Sequence, residues 1–160
     1  MSVNVRPSKL SDLEVIVNYN SAMARETEDR DLDRALLTRG VVGVMEQPSN
    51  GFYLVAEMDG CVVGQAMITY EWSDWRNGLF WWLQSVYVHP DYRRMGVYSA
   101  LYAHVLTCAH ETEEVRGLRL YVESNNIDAQ EAYRKLGMHK ASYDMYEVDF
   151  AIARQTRTIT

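Results

Sequence analysis

The stretch that could do chemistry is Val86-Tyr-Val-His-Pro-Asp-Tyr-Arg-Arg-Met-Gly-Val-Tyr-Ser-Ala-Leu101: an apolar extended run, a turn with two arginines and a glycine, then a helical turn. The first N–H groups of a helix have no internal acceptor, and the macrodipole places about half a positive charge there. Gly96 lets the backbone approach a ligand closely, and Arg93 and Arg94 add cationic donors. Such an end suits a phosphate or pyrophosphate. Neither Gly-Lys-Ser/Thr nor Gly-x-Gly-x-x-Gly occurs, so the loop is not a Walker or dinucleotide-binding pattern. An ordinary strand-to-helix turn with solvated arginines shares the spacing.

A second segment repeats the strand, polar turn and helix order: Leu118-Arg-Leu-Tyr-Val-Glu-Ser-Asn-Asn-Ile-Asp-Ala-Gln-Glu-Ala-Tyr-Arg-Lys-Leu-Gly137. Asn126 is placed to cap the helix, with Tyr133 on the stripe that holds Ala129. By itself Tyr133 reads as a core tyrosine with one hydroxyl partner.

Together the two segments resemble the two sharp motifs of the GNAT superfamily of N-acetyltransferases. There a strand ending in Val-x-Pro precedes Arg/Gln-x-x-Gly-x-Gly/Ala, here Arg93-Arg-Met-Gly96-Val-Tyr98. Later comes Asn-x-x-Ala-x-x-x-Tyr-x-x-x-Gly-Phe, here Asn126 through Ala129, Tyr133 and Gly137 to Met138. Tyr98 stands where a small residue is usual, and Met138 replaces Phe. The resemblance implies acetyl-CoA as cosubstrate, with no metal. It implies that the backbone of Arg94, Met95, Gly96, Val97, Tyr98 and Ser99 holds the pyrophosphate, assisted by the Arg93 or Arg94 side chain. The edge of Val86, Tyr87 and Val88 would pair with the pantetheine arm, and Asn126 and Ala129 would meet the CoA arm from the second motif. Tyr133 would lie beside the sulfur and protonate the departing thiolate. The amine would attack directly, and a free amide of Val86 or Tyr87 would face the developing oxyanion.

The resemblance also implies a general base, often a Glu on the long central strand. Phe80-Trp-Trp-Leu-Gln84 supplies no group that titrates near neutral pH. Glu71, Glu26 and Glu28 remain as candidates, beside water. The acceptor would be the amine of a small molecule or peptide. Its pocket would draw on Glu26, Glu28, Asp29, Asp31, Trp72, Asp74, Trp75, Trp82 and Tyr146. Acidic groups beside aromatics can hold an ammonium through charge and cation–π contacts, favouring a cationic acceptor. A CoA-binding regulatory or interaction protein without turnover is the competing reading, and a homodimer is left open.

Positioning these residues falls to elements that periodicity predicts. Val3 to Arg6 alternates as a strand. Ser11-Asp-Leu-Glu14 reads as a capping box opening a helix with Leu13, Ile16, Val17 and Met23 inward. A second helix carries Leu32, Ala35 and Leu36. Strands are expected at Phe52–Glu57 and Cys61–Glu71 around Asp59-Gly60, then, past a polar loop, at Leu79–Val88. A helix from Gly96 to about Ala109, a strand at Leu118–Glu123 and a helix at Asp128–Leu136 stopped by Gly137 follow. Ala141 to Phe150 reads as one or two terminal strands, and the last ten residues as frayed. The expected fold is α/β or α+β: a mixed, mostly antiparallel sheet with helices on both faces.

The 160 residues suit one domain, 1–160, and carry 16 basic against 22 acidic side chains, for a net charge of −6. That balance argues against non-specific binding to nucleic acid or anionic membranes. The N-terminus has no signal-peptide pattern and no stretch reaches membrane-helix length, so a cytoplasmic protein is expected. Cys61 and Cys108 cannot make a disulfide framework and each reads as a buried thiol. Eleven Tyr and four Trp are the unusual counts.

Overall fold

The computed structural model describes residues 2–152. The chain divides into two compact units, one ending at Tyr121 and one beginning at Val122. The first unit holds β1 (Asn4–Pro7), α1 (Leu13–Glu28), α2 (Arg34–Glu46), β2 (Phe52–Met58), β3 (Cys61–Ser73), β4 (Gly78–Val88), α3 (Val97–Glu111) and β5 (Val115–Arg119). Its five strands lie in sequence order, antiparallel from β1 to β4 and parallel between β4 and β5. The mixed, mostly antiparallel α+β sheet is therefore as expected.

Helices cover both faces. Ile16 and Val17 of α1 and Val41 of α2 are buried with Tyr53 and Val55 of β2. On the opposite face α3 buries Val97, Leu101 and Val105. A Cβ at Gly64 would come within 2.9 Å of Val97 Cγ1, so this close approach of helix to sheet requires glycine.

Several boundaries differ from the sequence reading. Ser11 does not cap α1. Asp12 is 5% exposed, and its carboxylate accepts the Lys9 backbone N–H at 2.7 Å and both Arg6 Nη atoms at 2.8 and 3.0 Å. Arg6 also reaches Glu57, which locks β1, the α1 entry and β2 together. Leu32 stays outside α2 because Asp33 is the cap, accepting the Leu36 N–H at 3.0 Å. The strand expected at Leu118–Glu123 is β5, shifted towards the N-terminus. Gly117 sits within it because the Phe80 ring occupies the space of a side chain, 2.6 Å from where a Cβ would stand. Cys61 is exposed and Cys108 half-buried, so neither is a buried thiol: Cys61 opens β3 beside the hairpin turn, and Cys108 lies at the margin of the stripe that Ala109 completes.

The second unit contains α4 (Ile127–Lys135). Asn126 caps it through Oδ1, which accepts the Ala129 N–H at 3.1 Å. Gly137 at φ +90° ends it in a Schellman arrangement, with Met138 N–H on the Tyr133 carbonyl and Gly137 N–H on that of Arg134. Ala129, Ala132, Tyr133 and Leu136 form the less exposed face. Residues 141–150 form no strand, correcting the expectation of terminal strands. Residues 151–152 are bends, and the remainder of the segment expected to fray lies outside the described residues.

Candidate functional site

The site begins where β4 leaves its partners. Met67 faces Gln84 and Gln65 faces Tyr87, so two steps along β3 match three along β4, and the extra residue forms a bulge at Ser85–Val86. Ser85 takes φ +48°, the left-handed region that serine seldom occupies. On the other side β5 pairs with β4 only from Leu79 to Trp82. Beyond Trp82 that edge of β4 has no strand partner among the described residues. Val86, Tyr87 and Val88 thus stand on an open edge next to a bulge, a geometry in which an amide-bearing ligand can take the place of a strand.

The chain then turns through a one-turn helix at Pro90–Tyr92, fixed by His89 Nδ1 accepting the Asp91 N–H at 3.2 Å. Arg94 at φ +64° and Gly96 at φ +81° curl the backbone into a concave loop before α3. No side chain caps α3, and its first intrahelical acceptor, the Gly96 carbonyl, serves Ala100 at 3.0 Å. The N–H groups of Val97 and Ser99 precede that first intrahelical bond and lie at the helix end beside the loop. A Cβ on Gly96 would meet no atom within 4 Å, so the space above the loop is open. Met95 is exposed and Val97 anchors the helix in the core. The loop, its two arginines and the open β4 edge fit a diphosphate joined to an amide-bearing arm, as in a CoA thioester.

Glu26 is expected at the acceptor or as a general base, and Tyr87 and Arg93 at the cofactor; the structure joins the three. Tyr87 Oη donates to Glu26 Oε1 at 2.8 Å, and Arg93 Nη2 donates to Glu26 Oε2 at 2.8 Å. Arg93 Nε also donates to the Val88 carbonyl at 3.0 Å. Desolvation opposes the charge on Glu26, but the hydrogen bonds from Arg93 and Tyr87 outweigh it and hold the carboxyl below its usual range. Burial, reinforced by the Glu26 carboxylate, pushes the Tyr87 phenol up to about 12. Two more carboxylates of the acidic segment are engaged: Asp31 pairs with Arg25 at 2.5 Å and Glu28 with Arg30 at 3.7 Å. Glu26 lines a shallow cavity of about 320 Å³ on α1 with Asn18, Ser21, Ala22 and Arg25.

Glu71, Trp82 and Gln84 share one face of the sheet, as the β3–β4 register requires. Glu71 is ion-paired to Arg119, whose guanidinium lies 3.7 Å from the Phe80 ring centroid. Gln84 Nε2 donates to Thr69 Oγ1 at 2.7 Å, and Trp82 stacks near Tyr121 at 6.0 Å between centroids. Arg119 lies inside the strand expected at Leu118–Glu123 but carried no expected role, because spacing does not show that Glu71 of β3 stands within reach of it. Trp72 and Trp75, at 62% and 85% exposed, stand at the β3–β4 turn and are not gathered with Glu26. In the second unit Asn126, Ala129 and Tyr133 lie along α4, and Tyr146 is exposed. Gln65 was passed over altogether, although a glutamine inside Val62-Val-Gly-Gln-Ala-Met-Ile68 signals a buried polar group with a task.

Among the described residues no helix is long and apolar enough to cross a membrane, and no cluster of His, Cys, Asp and Glu could hold a metal ion. No curated protein matches the chain. A possible acetyltransferase from Clostridium difficile 630 is 40% identical, with a TM-score of 0.87 over 95% of this chain and 100% of that one. A predicted acetyltransferase with acetyl-CoA from Clostridium acetobutylicum shares the fold at 17% identity, with a TM-score of 0.75 over 92% of this chain and 96% of that one. A ribosomal-protein-alanine N-acetyltransferase from Brucella melitensis biovar Abortus 2308 does so at 18% identity, with a TM-score of 0.74 over 94% and 100%. The model of the acetyltransferase (GNAT) family matches residues 13–138, from α1 through the Schellman turn after α4, and the chain belongs to that family.

Proposed function

We propose that the protein is an acetyl-CoA-dependent N-acetyltransferase acting on a primary amine of a small molecule or peptide. The observation that carries this reading is the β4 bulge with its open edge, leading into an uncapped helix through a loop curled at Arg94 and Gly96. The family match crosses the boundary after Tyr121, which supports reading the chain as one transferase domain.

Acetyl-CoA, when bound, supplies an activated thioester carbonyl and a thiol leaving group. The N–H groups from Arg94 to Ser99, with Arg93 or Arg94, hold its pyrophosphate, and the Val86–Val88 edge holds its amide arm. An amide of Val86 or Tyr87 faces the carbonyl oxygen as negative charge develops there. The amine nitrogen would bond to the carbonyl carbon as the carbon–sulfur bond breaks, with Tyr133, by its place in the family's second motif, as the residue that would give its phenolic proton to the sulfur. The proton lost from the amine passes to water or to Glu71. Glu26 suits this task less, because Arg93 and Tyr87 hold its carboxyl at a depressed pKa. Binding without turnover is favoured by one observation, the engagement of Glu71 with Arg119.

A screen of polyamines, aminoglycosides, amino acids and peptide N-termini for acceptor-dependent thiol release separates the two. Release with at least one amine is expected. Binding of acetyl-CoA with no release across all classes would leave the binder reading standing.

A further inference from the structure

Gln65 is completely buried in the middle of β3, between Val55 of β2 and Tyr87 of β4. Its Nε2 donates to the Ser85 carbonyl at 3.0 Å. Its Oε1 is also buried and has no hydrogen-bond partner among the described residues. An amide in that position is poorly explained by stability, because a methionine of similar length would pack there without an orphaned acceptor. The arrangement is explained by what the donor holds. The bulge removes Ser85 and Val86 from the ladder, so the Ser85 carbonyl loses its strand partner, and Ser85 must keep φ +48° against its own preference.

We propose that Gln65 is a positioning residue for the cofactor: its hydrogen bond to Ser85 fixes the β4 bulge and so aims the open Val86–Val88 edge. The inference rests on the transferase reading above. Gln65 touches no reacting atom and acts through the backbone it holds.

The test uses the full chain and CoA as probe, with affinity read by calorimetry and Ser85 conformation read in the ligand-free protein from its 13Cα and 13Cβ shifts. Gln65→Met should melt within a few degrees of the parent, lose the left-handed shifts at Ser85 and bind CoA roughly tenfold more weakly. Ser85→Gly in that background, which supplies φ > 0 without strain, should recover most of the affinity. Ser85→Val, whose branched side chain resists the same φ, should weaken CoA like Gln65→Met and stands in for it if that variant does not fold. Unchanged CoA affinity in Gln65→Met or Ser85→Val, or left-handed Ser85 shifts retained in Gln65→Met, would overturn the proposal. Absence of CoA binding by the parent chain would instead overturn the transferase reading on which it rests.

Discussion

Two residues show how differently a side chain can be read from its neighbours. Tyr133 was legible as a candidate because Asn126, Ala129 and Gly137 stand at fixed offsets around it. Tyr133→Phe removes the hydroxyl that would supply the proton and keeps the ring, so turnover should fall by about 10²-fold or more while CoA affinity stays within a factor of two. Steady-state rates beside calorimetric binding check this, and equal turnover would remove Tyr133 from the acid role. Asp12 was legible only as part of a capping motif assigned to Ser11, since sequence spacing cannot show that Arg6 of β1 folds back onto it. The Arg6 hydrogen bonds hold the Asp12 carboxyl below its usual value against the opposing effect of burial. A depressed carboxylate stabilises the fold above its unfolded pKa, near 3.8, and that contribution is lost as pH falls through the folded value. Asp12→Ala leaves Arg6 and the Lys9 N–H without this partner and should cost about 2 kcal/mol at pH 7. Denaturant unfolding should show the difference between parent and variant shrinking below pH 4.

At the scale of elements, α1, β4 and the loop before α3 are tied by one carboxylate. Glu26 holds Arg93 in an ion pair with side chains 45% and 41% exposed, so the pair itself contributes at most about 1 kcal/mol. A pyrophosphate in the loop competes with Glu26 for that guanidinium. Glu26→Gln should therefore tighten CoA about two- to fivefold, whereas Arg93→Gln should weaken it and make a second change at Glu26 nearly silent. If Glu26→Gln weakens CoA, the carboxylate positions Arg93 instead of occupying it. The same change should bring the Tyr87 phenol down from about 12, visible in an ultraviolet titration. With its pKa raised in the fold, Tyr87 contributes stability that is full below pH 10 and lost between pH 10 and about 12. Element types were readable wherever the period of apolar residues was long, as in α1, α3 and β4. The alternation at residues 141–150 tells which side chains share a face but not which backbone completes a ladder, and a strand needs the second. β5 was misplaced for the opposite reason, because Gly117 answers to the Phe80 ring beside it and not to local propensity.

The whole molecule carries a charge of −6, yet its candidate ligand is itself polyanionic. Two ranges of electrostatics reconcile these facts. Repulsion from the overall charge acts over tens of ångströms at low salt and is largely screened at 0.1 M, where the Debye length is about 10 Å. Contacts from Arg93, Arg94 and the N–H groups before and within α3 act at hydrogen-bond distance and survive that screening. CoA affinity should consequently change by less than about threefold between 10 and 150 mM salt, far from the 10³-fold or greater losses of a protein that neutralises many phosphates. A tenfold or steeper loss over that range would mean that a broad positive field, and not the loop, carries binding. The melting temperature reports the same equilibrium. Ligand at 100 times its Kd adds about 2.7 kcal/mol, and a chain of this size gains about 2–4 °C per kcal/mol, so acetyl-CoA should raise the midpoint by roughly 5–10 °C. No shift at millimolar acetyl-CoA would rule out both the enzyme and the binder, because each requires that the loop curled at Arg94 and Gly96 recognise the cofactor in the folded state alone.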